Sequence, residues 1–95
     1  MTVNFLAELD DIISDRLTDR PESSYTAKLA AEGITRLAQK VGEEGVEMAL
    51  AAVAGDRQSQ LDEAADLIFH LMVLLKAKGL SVHDVAEVLE ARHRS

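Results

Sequence analysis

Two stretches of this chain are apolar on almost every side except for acids set one helical turn apart. They constrain the fold more than any other feature. Glu43-Glu44-Gly45-Val46-Glu47 leads into residues 48–54, and Glu63-Ala64-Ala65-Asp66 leads into residues 67–75. Side chains three, four and seven positions apart share one face of an α-helix, so Glu44 pairs with Glu47 and Glu63 with Asp66. Each pair opens a segment that must be covered by other protein, and covering a carboxylate is costly unless a cation lies close. No Lys or Arg occurs between Lys40 and Arg57, or between Arg57 and Lys76. A bound metal ion is the simplest source of the missing charge.

Register along the chain agrees. Apolar periodicity predicts long helices over residues 34–54 and 57–78, with Gly55 in the C′ position of the first and Asp56 as N-cap of the second. So short a connection forces the two helices antiparallel. Glu47 stands eight residues before Gly55 and Glu63 seven after Asp56. At about 1.5 Å of rise per residue, both lie ~12 Å from the turn and face each other. Glu44 and Asp66 face each other one turn further out. Four carboxylates are thus expected to converge, and one pair of anions ~4 Å apart costs ~4 kcal/mol at an effective dielectric of about 20. Hard oxygen donors favour Mg²⁺, or Mn²⁺, over zinc.

The remaining segments read as helices and short connections. A first helix follows Asn4 as N-cap, with Phe5, Leu6, Leu9, Ile12, Ile13 and Leu17 on its apolar stripe and Glu8, Asp11, Asp15 and Asp19 in solvent. Residues 19–24 hold the only proline and read as a loop. A short helix is expected over residues 26–31, and Gly33 bends the chain. Basic residues and Gly79 end the helix over residues 57–78. Ser81-Val82-His83-Asp84 resembles a capping box before a final helix, with Val82, Val85, Val88 and Leu89 turned inward and a polar tail over residues 91–95. No strand pattern appears. The expectation is one all-α domain over residues 1–95.

Apolar residues make up 47% of the chain, yet only Phe5, Tyr25 and Phe69 are aromatic, which suits close helix packing. Residues 64–75 carry only Asp66 and His70 as polar side chains, and a helix apolar all round needs neighbours on every side. Ninety-five residues can hardly supply them, so a homodimer is expected. Seventeen acids against ten Lys and Arg argue against nucleic-acid binding, which needs a basic face. Without cysteine, the described sequence offers no disulfide or thiolate metal site. The start, Met1-Thr2-Val3-Asn4, is not that of a signal peptide, and residues 67–75 are too few to span a bilayer. A cytoplasmic protein is expected, with no membrane partner.

Other residues carry two readings each. His70 follows Asp66 by one turn, either as a satisfied core histidine or as a support or substrate contact for the site. Lys40 precedes Glu44 by four residues and either pairs with it or aims at a phosphate. Glu43 either joins the metal cluster or caps its edge. Ser24-Tyr25-Thr26 beside Lys28 either starts a helix or contacts a nucleotide. A purely structural reading of the acids, as in a helical dimerisation module, requires basic partners that the neighbouring sequence lacks.

The spacing Glu43-Glu44-x-x-Glu47 with Glu63-x-x-Asp66 resembles the signature of the MazG-like all-α nucleotide pyrophosphohydrolases. Residues 24–29 (Ser-Tyr-Thr-Ala-Lys-Leu), 40–44 (Lys-Val-Gly-Glu-Glu) and 63–71 are similar to the phosphoribosyl-ATP pyrophosphatase family within that group. The similarity covers roughly residues 5–90. It implies hydrolysis of phosphoribosyl-ATP to phosphoribosyl-AMP and pyrophosphate, the second step of histidine biosynthesis. Glu44, Glu47, Glu63 and Asp66 would hold Mg²⁺. Glu43, or whichever carboxylate the metal leaves free, would be the base, with Glu44 and Glu47 also in the catalytic set. Ser24, Tyr25, Thr26, Lys28, Lys40 and His70 would contact substrate. Phe69 stands where relatives often have Tyr. The family is sometimes fused to a cyclohydrolase with a Cys-bearing zinc site, and a cysteine-free chain of this length is expected to be the stand-alone form. A house-cleaning enzyme acting on other nucleoside triphosphates is the alternative.

Overall fold

The computed structural model describes residues 4–94. Five helices follow in order: α1 (Phe5–Asp19), α2 (Tyr25–Ala31), α3 (Ile34–Ala54), α4 (Arg57–Ala77) and α5 (Val82–His93). No strand occurs among the described residues, so the chain is all-α as its periodicity predicts. Met1, Thr2 and Val3, where no signal peptide is expected from sequence, and Ser95 at the end of the expected polar tail lie outside the described residues.

α3 and α4 form the antiparallel pair, the most extensive helix packing in the molecule. Asp56 caps α4 by accepting from the Ser59 N–H at 2.8 Å. Gly55 differs from expectation. It is extended (φ −89°, ψ 164°) rather than left-handed, and its N–H bonds the Ala51 carbonyl at 2.8 Å. What requires glycine is a close approach, since a Cβ there would lie 2.8 Å from the Ala51 oxygen. At the other end of α4, Gly79 does take positive φ (76°). The Leu80 N–H then reaches the Leu75 carbonyl at 2.8 Å and the Gly79 N–H reaches Lys76 at 3.0 Å, the paired bonds of a Schellman motif.

The core is Ile13, Leu29, Leu37, Met72 and Val73, with Leu6, Leu9, Leu17, Phe69, Leu74 and Val82 packed against it. α1 and α2 therefore cover the first half of α3 and the second half of α4. The acids occupy the opposite half of the pair, nearer the turn. Ser24 caps α2 by accepting from the Ala27 N–H at 3.1 Å, so that helix starts at Tyr25, one residue early. Ser81 and Asp84 form the expected capping box.

Three expectations change. Asn4 stands at the N-cap position with helical dihedrals (φ −61°, ψ −22°) and makes no capping bond with its side chain, because capping requires an extended residue. Phe5 and Ile12 remain over 40% exposed at the edge of the α1 stripe. The buried face of α1 follows 6, 10, 13 and 17 instead, and it includes an acid. Asp10 is buried and meets Lys76 of α4 at 3.0 Å. On α5, Val82 and Val85 are half-covered, while Val88 and Leu89 are each 49% exposed, since α5 lies mainly on α1 and reaches little else.

Candidate metal centre

Glu44 comes from the middle of α3, and Glu63 and Asp66 from the first half of α4. One carboxylate oxygen of each lies within 4.8 Å of the others. Their settings are graded: Glu44 is buried, Glu63 half-buried and Asp66 exposed, so the group opens from the helix interface to solvent. Lys40 Nζ stands 3.3 Å from Glu44 Oε1. It therefore takes the pairing role open to it in the sequence. The bond to Glu44 raises the ammonium pKa above its ordinary 10.5, with smaller support from Tyr25 and Glu43 against the opposing effect of burial.

One lysine leaves the acids undercompensated. Glu44 Oε2 and Glu63 Oε2 are both buried and have no hydrogen-bond partner among the described residues. Buried carboxylate oxygens are rarely left so, because an unpaired one forfeits its hydration without return. Two orphaned anionic oxygens beside a third, exposed carboxylate are the donor set of a hard divalent cation. The residues present fit such an ion.

Glu47 stands outside the 4.8 Å group, exposed on α3. Three residues on a helix rotate by ~300°, which turns it ~60° from Glu44. Its carboxyl pKa is still raised above 4.5, first by the charge of Glu44 and then by contact with Glu63. Glu43 lies further out, accepting from Gln39 at 3.2 Å and facing Arg36 at 3.7 Å. Those partners, four and seven positions earlier, were readable from helical spacing.

His70 is buried and joins two helices. Its Nδ1 lies 2.7 Å from the Asp66 carbonyl, which only accepts, so Nδ1–H donates there. In the neutral ring Nε2 is then free to accept from the Tyr25 hydroxyl at 2.9 Å. Tyr25, Phe69 and His70 pack as a cluster, with the Tyr25 and Phe69 ring centroids 6.2 Å apart. Ser24 and Thr26 are buried in the start of α2, whereas Lys28 is exposed near Arg20 and Glu22. The site therefore gathers Glu44, Glu63, Asp66, Glu47, Lys40, Tyr25 and His70. The Tyr25–His70 bond spans 45 positions, and no short-range pattern announces it.

A family model described as phosphoribosyl-ATP pyrophosphohydrolase matches residues 6–93. Among curated proteins, the chain is similar to the histidine biosynthesis bifunctional protein HisIE of Xylella fastidiosa (strain Temecula1), with 56% identity over 90 residues. That alignment covers 95% of this chain and 44% of the relative. HisIE of Photobacterium profundum is 55% identical over 89 residues, covering 94% of this chain and 43% of the relative. HisIE of Vibrio cholerae is 51% identical over 90 residues, covering 95% and 43%. The chain thus spans less than half the length of these relatives. With the acidic group and the all-α frame, a match across nearly the whole chain identifies it as a member of the phosphoribosyl-ATP pyrophosphohydrolase family.

Proposed function

We propose that this chain hydrolyses phosphoribosyl-ATP to phosphoribosyl-AMP and pyrophosphate, as one domain, in cytoplasmic histidine biosynthesis. The observation that carries the reading is the acidic group with its two orphaned buried oxygens, in a chain of this family. Glu44, Glu63 and Asp66 would hold Mg²⁺, with Mn²⁺ the alternative and Glu47 at the edge of the group. Such an ion, when bound, neutralises polyphosphate oxygens and makes a bound water more acidic.

The chain's own groups divide the remaining work. Lys40 brings an ammonium beside Glu44, where it meets a phosphate oxygen and balances charge. Glu47 is the best-placed base: exposed, and with a raised affinity for protons because Glu44 and Glu63 crowd it. It takes a proton from water as the water oxygen bonds to phosphorus. The anhydride bond then breaks, and its electron pair leaves with pyrophosphate. Glu43 fits an outer, orienting role, since Arg36 and Gln39 already engage it. Ser24 and Thr26 support the start of α2, and Lys28 serves as a peripheral cation for substrate.

We infer a homodimer from the surface of α3. Val46, Leu50 and Val53 follow at helical spacing and are 61%, 65% and 88% exposed. With Leu61 and Ile68 of α4 also open, a second copy of the same face is the natural cover. The assay for the activity is pyrophosphate release from phosphoribosyl-ATP, compared with ATP, dCTP and dUTP, with and without Mg²⁺. Release from phosphoribosyl-ATP alone supports the reading. Equal release from the other triphosphates replaces it with the house-cleaning alternative.

A further inference from the structure

An exposed tyrosine ordinarily turns its hydroxyl to water and its ring toward protein. Tyr25 differs: the residue is 53% exposed, yet its hydroxyl is engaged by the buried His70 at 2.9 Å. His70 is in turn fixed from its other side by the Asp66 carbonyl. Asp66 belongs to the acidic group, so the ring is tethered about one helical turn from the candidate metal ligands. Phe69 lies beside it, with ring centroids 6.2 Å apart and planes inclined by 31°. Lys40, paired with Glu44 at 3.3 Å, brings a cation to the same acidic group. A buried histidine thus fixes a half-exposed tyrosine at the edge of the aromatic cluster. A flat apolar face, held rigid beside a polyphosphate site, is a surface for a nucleobase.

We propose that Tyr25 is the stacking platform for the purine of a nucleoside phosphate, and that His70 is a positioning residue that holds the ring without touching the ligand. The proposal rests on the nucleotide reading above and specifies how the base is chosen. A purine offers more stacking area than a pyrimidine, so the platform favours adenine nucleotides over dCTP and dUTP. Fixing the ring beforehand also lowers the ordering cost of binding.

The sequence supplies its own probe: Tyr25 is the sole tyrosine and there is no tryptophan. Ultraviolet emission of the intact protein therefore belongs to Tyr25. The experiment titrates AMP, CMP and ribose 5-phosphate against the wild type, corrected for nucleotide absorption, and repeats the binding by calorimetry on variants. AMP should quench saturably, CMP more weakly and ribose 5-phosphate not at all. Tyr25→Ala should weaken AMP by roughly tenfold or more, as loss of a stacking face does, with the effect on turnover falling on KM. Tyr25→Phe keeps the face but loses the tether, so it should lower affinity about as far as His70→Leu does and less than Tyr25→Ala. His70→Leu should lower affinity and His70→Gln, which keeps an acceptor for the hydroxyl, should restore part of it. A merely structural histidine would lower stability without that rescue of AMP affinity.

The Tyr25 variants alter an exposed ring, so they decide the matter even where a His70 variant fails to fold. Absence of AMP quenching overturns the proposal. So does equal quenching by ribose 5-phosphate, or wild-type AMP affinity in Tyr25→Ala. AMP binding is read without turnover and pyrophosphate release without fluorescence, so the two readings fail separately.

Discussion

Replacing Glu63 by Gln removes one anion from the acidic group while keeping the shape of the side chain. Glu63 faces Glu44 and Asp66 with oxygens within 4.8 Å. At that separation, two unit charges repel by ~3.5 kcal/mol at an effective dielectric of about 20, and by ~0.9 kcal/mol in bulk water. The exposure of Asp66 places the true value toward the lower bound, and the lost attraction to Lys40 offsets part of the gain. A net relief of ~1 kcal/mol in the metal-free protein remains, which for a domain of this size raises Tm by ~4–8 °C. Metal reverses the order. An ion bound only to the native state stabilises wild type by ~1.4 kcal/mol at ten times its Kd, and Glu63→Gln should gain far less. The assay is thermal melting of both proteins at matched concentration, in chelator and in millimolar Mg²⁺. If Glu63→Gln melts below wild type in chelator and Mg²⁺ moves neither curve, the acids are structural and the reasoning fails.

Asp66→Asn should abolish pyrophosphate release while circular dichroism stays that of wild type; a variant retaining a tenth of the activity would place Asp66 outside the metal site. Leu50→Asp puts a charge on the most open apolar stripe and should yield monomers by sedimentation at micromolar concentration, whereas an unchanged dimer would move the interface elsewhere. Asp10→Leu strands Lys76, and breaking a buried pair of this kind should cost ~2 kcal/mol or more in denaturant unfolding, discounted for the partial exposure of the lysine. The Ser59 N–H lowers the carboxyl pKa of Asp56 below the ordinary 3.8. The stabilisation is therefore present above that value and is lost as pH falls through the folded-state pKa. Asp56→Ala should accordingly melt below wild type at pH 7, with the gap closing in acid.

The acidic group was legible because it depends on two short-range rules, helical spacing and distance from one tight turn. Both rules act within 24 residues, from Glu43 to Asp66. What escaped the reading depends on contacts that the chain makes after folding back. Asp10 sits between Leu9 and Asp11, indistinguishable from the solvated acids around it, until α4 brings Lys76 against it across 66 positions. The Tyr25–His70 bond likewise needs α2 to lie on α4. Apolar content along α3 was plain, but its sidedness was not. Val46, Leu50 and Val53 lie in a segment expected to be covered by other protein and are the most open large apolar side chains among the described residues. Val88 and Leu89 were misjudged for a related reason, since a helix at the end of the chain packs only as far as its neighbour reaches.

The Gly55 turn has a consequence for which changes in length the chain tolerates. α3 ends at Ala54 and α4 begins at Arg57, so the connection is too short to absorb an added residue by looping out. One inserted residue would either lengthen a helix or reset its start. The acids beyond it would then move by about 1.5 Å and turn by about 100° relative to the facing helix. Glu63 and Asp66 would leave Glu44 even if both helices formed in full. The turn is in this sense a gauge of length, and the meeting of the acids is set by its register. Insertions should be silent in the loop between α1 and α2, where no such register is kept, and at residues 55–56 should disperse the acidic group and any activity that depends on it.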